Sequence, residues 1–245
     1  MRNRFIRSIG FLAAILIFSS AAIAQTPQLF KPGEIWQSAG GVLTLSDQVP
    51  PRTPAGEKTF NANKPSYGPR AIAPALGNDP VGSCDPLGLP RILFYRTPIE
   101  FIQIPGRVFQ FFERTRVWRE IWTDGREVPK DAEPAYMGHS VGRWEGDTFV
   151  VNSLGFDART WLDHFGNPHS DQMRLEERWR RVDNNTLELT LKLEDAKVYT
   201  KPWVSEKKTF RLQRQTEFEE SFCIPSEEQE FNQRIRNPAA GLPNK

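Results

Sequence analysis

The sequence predicts an all-β protein: an antiparallel meander, closed as a barrel or folded as a two-sheet sandwich, behind an irregular proline-rich arm. Three observations carry this reading. From residue 91 onward, short β-prone runs are separated by turn chemistry and show no helical periodicity. Most neighbouring runs lie close enough to pair as hairpins, which makes a meander. The 17 Phe, 7 Trp and 4 Tyr supply side chains for a broad apolar interior.

In order, the chain divides into four parts. Residues 1–24 read as a secretion signal: Arg2, Arg4 and Arg7, an apolar run at 11–18, then Ala22-Ile23-Ala24 as a small-x-small cleavage site. The apolar run is shorter than the ~20 residues that span a bilayer, so a cleaved signal is expected in place of an anchor. The mature chain then starts at Gln25 and is exported, periplasmic or extracellular, with no integral membrane segment after cleavage. Residues 25–90 form a Pro/Gly-rich extended arm, in which prolines from Pro50 to Pro90 exclude long helices and central strands. Residues 91–214 form the antiparallel β domain. Residues 215–245 are a polar tail, with a short helix expected within 217–234.

Within the β domain, runs at 92–95 and 99–104 come first. Pro105-Gly106 fits a type II turn, because Pro presets φ at the second position and Gly accepts positive φ at the third. Runs at 108–113 and 117–123 follow, the latter ending at Asp124-Gly125, a two-residue hairpin signal. Beyond a proline-containing loop come 140–144, a turn at Glu145-Gly146-Asp147, and 148–154. A long connection, 155–172, leads to 173–182, a turn at Asp183-Asn184-Asn185, 186–193, and a last run at 204–212.

Charge is balanced, 32 basic against 30 acidic residues, so there is no electrostatic footprint for nucleic acid. The basic cluster at 174–181 is interrupted by Glu176 and Glu177 and reads as a solvated strand face. The two cysteines, Cys84 and Cys223, are expected to pair in an oxidising compartment and to tie the tail back to the arm. Two free thiols, or half of a metal site, are the competing readings.

All three histidines, His139, His164 and His169, fall in one stretch that is also rich in carboxylates and tryptophan. Gly166 and Pro168 exclude a helix there, so His164 and His169 are not a helical metal pair. On a loop, His139, His169 and one of Asp163, Asp171 or Glu177 would still supply the three ligands of an open metal site. A metal-free alternative makes His169 a general base oriented by Asp163 or Asp171. In a third reading the imidazoles only brace the loop.

Strand alternation adds a carboxylate to this set. In the run 173–182, Met173, Leu175, Glu177, Trp179 and Arg181 share a face, which places Glu177 inward between Leu175 and Trp179. An interior carboxylate requires a partner, with Arg119, Arg143 or Arg181 available, or else serves as acid/base or ligand anchor. In 117–123, Trp118, Glu120 and Trp122 share one face and Arg119 and Ile121 the other, with either set able to point inward. Leu187, Leu189, Leu191 and Leu193 mark a core face. No G-x-S-x-G, dinucleotide or phosphate-loop motif is present. Gly142-Arg143-Trp144 is similar to the G-x-W strand of lipocalin-like barrels, with Trp144 as a plug.

The segments MGHSVGRWEGDTFVVNSLGF, TWLDHFGNPHS, ERWRR and AKVYTKPW, with CDPLGLPRI and IEFIQIPGRVFQFFE upstream and EESFC downstream, resemble a large family of exported bacterial proteins. That resemblance runs from Cys84 to Cys223 and implies no particular reaction. It implies family positions at His139, Trp144, Glu145, Asp147, Trp161, Asp163, His169 and Glu177, and places His164 at a variable position. Family members carry His where this chain has Arg174 and Asn167, and Asp in place of Asn152. A three-histidine metal site would therefore lack a ligand here.

Three functions follow as expectations. The first is an acid/base enzyme of hydrolase, lyase or isomerase type acting on a small molecule. In it Glu177 and His169 transfer protons, His139 and Asp163 orient or ligate, and Trp144, Trp161, Trp179 and Glu120 contact the ligand. It would use no cofactor, or a single divalent metal held by His139, His169 and Asp163. The second is a binding protein for an apolar or aromatic small molecule. The third is a structural envelope protein.

Overall fold

Nine staves close into a β-barrel. The computed structural model describes residues 29–41 and 43–242, so the expected signal at 1–24 lies outside the described residues. The strands are β1 (Ile35–Ser38), β2 (Ile99–Ile104), β3 (Arg107–Phe112), β4 (Trp118–Trp122) and β5 (His139–Glu145). They continue with β6 (Thr148–Leu154), β7 (Arg174–Asp183), β8 (Thr186–Glu194), β9 (Trp203–Val204) and β10 (Lys208–Gln213). Each strand from β1 to β8 pairs with the next, and β10 closes the ring by pairing with both β8 and β1. β9 and β10 are two lengths of one stave along β8, with Val204 opposite Lys192 and Lys208 opposite Leu189.

The turns follow the expected chemistry at three corners. Ile104 opposes Arg107 across Pro105-Gly106, where Gly106 takes φ +80°. Glu145 opposes Thr148 across Gly146-Asp147, with Gly146 at φ +61°. Asp183 opposes Thr186, and its carboxylate accepts from the Asn185 amide at 2.7 Å. Neither asparagine takes positive φ, and a bulge between Arg181 and Asp183 adjusts the register instead.

Three features depart from the sequence reading. The run 92–95 is not a strand: Arg91–Phe94 is a short 3-10 turn whose residues are all buried. A strand would send alternate side chains outward, whereas this turn drives Ile92, Leu93 and Phe94 together into a corner of the core. The missing stave is β1, which comes from the arm and fills the gap between β2 and β10. Nor does Asp124-Gly125 make a hairpin. Arg126, Glu127 and Val128 run into Pro129, which cannot extend a returning ladder. The chain instead crosses back through residues 123–138, and β5 joins β4 in parallel, Ile121 opposite Ser140 and Trp122 opposite Val141.

The interior is aromatic. Trp36, Trp179, Phe30, Phe101, Phe149 and Phe210 are all fully buried, and Leu187, Leu189, Leu191 and Leu193 lie in the core as their alternation requires. The Phe149 ring lies against Gly142, where a Cβ would meet it at 2.5 Å, so the glycine of G-x-W is a packing requirement. One polar group set shares this core. Arg119 on β4 donates to both oxygens of Glu177 on β7, at 2.7 and 2.6 Å, and its Nε donates to Gln110 on β3 at 2.7 Å. The Ser140 hydroxyl, 3.5 Å from Arg119, is bonded at 2.7 Å to Ser153 on β6.

Beyond β1, the arm and the tail carry elements outside the barrel sheet. A helix, α1 (Pro54–Ala62), begins with Pro54 in its first turn, and the Gly56 amide donates to the Thr53 hydroxyl at its N-cap. Arg181 pairs with Glu34 at 2.6 and 2.8 Å and so fastens the start of β1 to β7. The tail helix α2 (Pro225–Phe231) follows Cys223, which is disulfide-bonded to Cys84 as expected, with Cα atoms 5.4 Å apart.

The buried ion pair generates a stability prediction. Arg119→Met leaves the Glu177 carboxylate without its main donors and is expected to cost about 3–5 kcal/mol of unfolding free energy. The double variant Arg119→Met/Glu177→Leu removes both charges and should be more stable than Arg119→Met alone. Urea unfolding of the three variants checks this; a double variant as unstable as the sum of the two single changes would contradict it.

Candidate functional site

The inward face of β7 carries Leu175, Glu177 and Trp179, all buried, as alternation requires. Glu177 is 0 % exposed. Beyond the Arg119 fork, its Oε2 also accepts from the Trp179 indole at 3.1 Å. Three donors hold this carboxylate, and Trp179 is spent as one of them. The pair is the inward salt bridge to Arg119. Arg119 therefore faces inward, so Glu120 points outward, where it pairs with Arg107 at 3.0 Å.

The histidine-containing loop is organised by Asp163. Its carboxylate, 0 % exposed, accepts from the Thr44 hydroxyl at 2.6 Å and the Asn167 side-chain amide at 2.7 Å. It also accepts from the backbone amides of Phe165 at 2.9 Å and Asn167 at 3.2 Å. Burial pushes this carboxyl up, and these four hydrogen bonds oppose that by holding the anion. Arg52 from the arm reaches Asn167 at 2.5 Å, and Tyr199 donates to Pro168 at 2.9 Å.

His169 is likewise spent on structure. Nδ1 lies 3.0 Å from the Ser170 carbonyl and Nε2 lies 2.7 Å from the Thr160 hydroxyl. Burial pushes its pKa down, which favours the neutral ring. A neutral ring with its proton on Nδ1 donates to Ser170, and Nε2 then accepts the single Thr160 hydroxyl proton, which the Asp157 carbonyl at 3.2 Å also faces. Neither nitrogen is left to move a proton.

His139 and His164 differ from it. His139 is half-buried at the start of β5; its Nε2 meets the Glu133 carbonyl at 2.7 Å, and Nδ1 makes no hydrogen bond among the described residues. His164 is 5 % exposed, and neither of its ring nitrogens has a hydrogen-bond partner among the described residues. The ring packs against Tyr95 at 4.6 Å and Tyr67 at 5.4 Å between centroids. Burial, with Arg91 and Arg114 nearby, lowers its pKa to about 4.

These placements correct the metal expectation. Among the described residues no three His, Cys, Asp or Glu side chains converge to hold a metal ion. His139, His169 and Asp163 are on separate hydrogen-bond systems, and the donors of His169 and Asp163 are already committed. Of the expected ligand contacts, Trp144 is half-buried against Phe149 at 4.9 Å. Trp161 is buried at the edge of the arm, with Arg91 5.5 Å over its ring.

Two concavities remain where side chains have atoms to spare. The first, about 400 Å³, opens at the β4–β5 seam beneath the 123–138 crossover. Trp118, Trp122, Met137 and His139 line it, with Arg119 and Ser140 on its floor and Glu120 and Arg126 at its edge. The second, about 1020 Å³, lies between the arm, the 155–172 connection and the tail, and takes in Arg91, Tyr95, Arg114, Trp161 and the disulfide. Sequence reasoning reached His139, Glu120 and Trp161 but missed Tyr95, Arg91 and Arg114. Tyr95 lies in the run read as a strand, Arg91 just before it, and Arg114 between two strands, so periodicity carried no signal for them. His164 lost standing at a variable position, yet it is the histidine whose two ring nitrogens have no hydrogen-bond partner among the described residues.

No protein-family model matches the chain, and no curated protein or solved structure matches it. A functional reading therefore rests on the geometry of these two concavities.

His164 makes stability depend on acid. Its pKa is lowered from an ordinary value near 6.5 to about 4 in the folded chain. The folded state thus prefers the neutral ring, and the associated stability is present above pH ~6.5 and lost as pH falls toward 4. The shift corresponds to about 3 kcal/mol at most. Urea unfolding at pH 7 and pH ~4.5 is expected to show a smaller acid loss for His164→Phe than for the wild type. Equal losses in the two proteins would contradict the account.

Proposed function

We propose that this exported chain is a small-molecule-binding protein, and that its ligand occupies the cavity at the β4–β5 seam. One observation carries the proposal: His139, whose Nδ1 makes no hydrogen bond, stands beside apolar aromatic walls over a floor of Arg119 and Ser140. Pockets of this kind are concave and mostly apolar, with a few fixed polar groups giving orientation. Trp118 is 52 % exposed and Trp122 is half-buried, so aromatic surface is available to a ligand. The floor is pre-organised, because Arg119 is clamped by Glu177 and Gln110. The Cys84–Cys223 disulfide supports an oxidising compartment, periplasmic or extracellular.

An enzyme that uses Glu177 and His169 as its acid/base pair gains no support, since both groups are buried and engaged by internal partners. A second reading is favoured by His139 alone. With Nε2 directed at the Glu133 carbonyl, Nδ1 is the one nitrogen among the four expected catalytic groups with spare capacity to accept a proton.

The neutral apolar dye N-phenylnaphthylamine tests the binding reading. The mature protein is expected to bind one equivalent with enhanced dye fluorescence. Met137→Trp, which fills the cavity, and Trp122→Ala, which removes a wall, should each weaken binding about ten-fold or more. Dye binding unchanged in both variants, or absent from the folded wild type, would overturn the proposal.

A further inference from the structure

The larger concavity has the chemistry of a second site, separate from the one proposed above. Its walls come from the arm, the 155–172 connection and the tail, and the Cys84–Cys223 disulfide joins two of them. Of the arginines on these walls, Arg114 alone lacks an acidic partner among the described residues. Arg91 is held in a fork by Asp79 at 2.8 and 2.5 Å. Arg159 is paired with Asp157 at 2.6 Å, and Asp85 lies within its field. Arg236 faces Glu228 at 3.7 Å. Arg114 has neither an ion pair nor a side-chain hydrogen bond among the described residues, and its Nε is buried.

The surroundings of Arg114 are aromatic and constrained. Its guanidinium lies 5.1 Å from the Tyr95 ring centroid. Tyr67, Tyr95 and Trp161 all line the same concavity, and the Tyr67 and Tyr95 hydroxyls make no hydrogen bond among the described residues. Behind the two tyrosines is His164, buried with both ring nitrogens unpartnered. Buried polar atoms without partners cost free energy; Nε of the lining residues Arg91 and Arg114 are two such atoms, with the His164 ring nitrogens behind them. The backbone agrees. Thr115, beside Arg114, has φ +59°, and Cys84 has φ +67°; both line the concavity. Positive φ is strained for a β-branched residue and persists where the surrounding structure enforces it.

We infer that this concavity binds a small aromatic carboxylate, with Arg114 taking the anionic group and Tyr67, Tyr95 and Trp161 packing the ring. One uncommitted guanidinium suits a monoanion: its planar fork matches a carboxylate, and the neighbouring aromatic faces suit a flat apolar body. Asp79 does not oppose the anion, because Arg91 already neutralises it.

Benzoate is the probe, with benzyl alcohol as its uncharged counterpart, followed by NMR on the isotope-labelled mature protein. The expected result is saturable benzoate binding whose shifts centre on the Trp161 indole, Tyr67 and Tyr95. Benzyl alcohol should bind at least about ten-fold more weakly, as should benzoate to Arg114→Gln, in line with loss of one charge-assisted hydrogen bond. Arg174→Gln, which removes an exposed charge elsewhere, should leave benzoate affinity unchanged. The Arg114 side chain makes no hydrogen bond or ion pair among the described residues, and its contact is the Tyr95 face, so the Gln variant is expected to melt within a few degrees of the wild type. Non-saturating benzoate shifts, equal binding of the two probes, or unchanged affinity in Arg114→Gln would each overturn the inference. So would a shift pattern centred on the β4–β5 seam, which needs no variant to be read.

Discussion

The Arg119–Glu177 fork is the interaction on which the rest of the barrel depends. Two full charges inside an aromatic core cost several kcal/mol unless each is matched by close partners. Here the matching partners come from successive staves: Gln110 on β3, Arg119 on β4, Ser140 on β5, Ser153 on β6, and Glu177 with Trp179 on β7. The register is tied to this set. Gln110 sits directly opposite Arg119, and Ser140 directly opposite Ser153. A one-residue slip of any of these strands would turn its polar member outward and strand a charge in the core. The fork therefore specifies strand order and register on one side of the barrel, while the leucines of β8 serve the other side through apolar burial.

A second consequence is that the barrel centre is full. Trp36, Trp179, Phe101, Phe149 and Phe210 occupy it together with the fork. Spare side-chain atoms are displaced to the places where the regular wall gives way. One is the parallel β4–β5 seam, where only two residue pairs are in register. The other is the layer outside the barrel, where arm, loop and tail meet. Asp163 organises that layer: by accepting four hydrogen bonds it fixes the turn that Arg52 and Tyr199 then clasp.

The parts of the fold that were legible in the sequence are those set by local rules. Period-two alternation put Glu177 and Trp179 inward and the β8 leucines in the core, and Pro105-Gly106 chose its turn. What depended on distant partners was not legible. β1 is four residues long and hidden among prolines, and it becomes a stave only because β2 and β10 need a neighbour. The apolar run before Tyr95 could not be told from a strand by pattern, since burial in a corner imposes no period. The histidine cluster misled for a related reason. Proximity in sequence brought His164 and His169 onto one loop, but their hydrogen-bond partners, not their spacing, decide what each nitrogen can do. The His169 ring finds Thr160 and Ser170; the His164 ring, five residues earlier, packs on tyrosine faces.

The two concavities also differ in what holds them together. The β4–β5 cavity is floored by Arg119 and Ser140, members of the internal network, and walled largely by strands and the crossover between them. Its shape follows from the barrel itself. The outer concavity has walls from segments more than a hundred residues apart in sequence, and Cys84 and Cys223 supply their covalent link across a separation of 139 residues. The tail brings little core of its own to that face: Phe222, Ile224, Phe231 and Ile235 are all exposed. Loop closure by the disulfide therefore does there what apolar burial does in the barrel. The oxidising compartment expected for this chain thus bears on the outer concavity far more than on the seam.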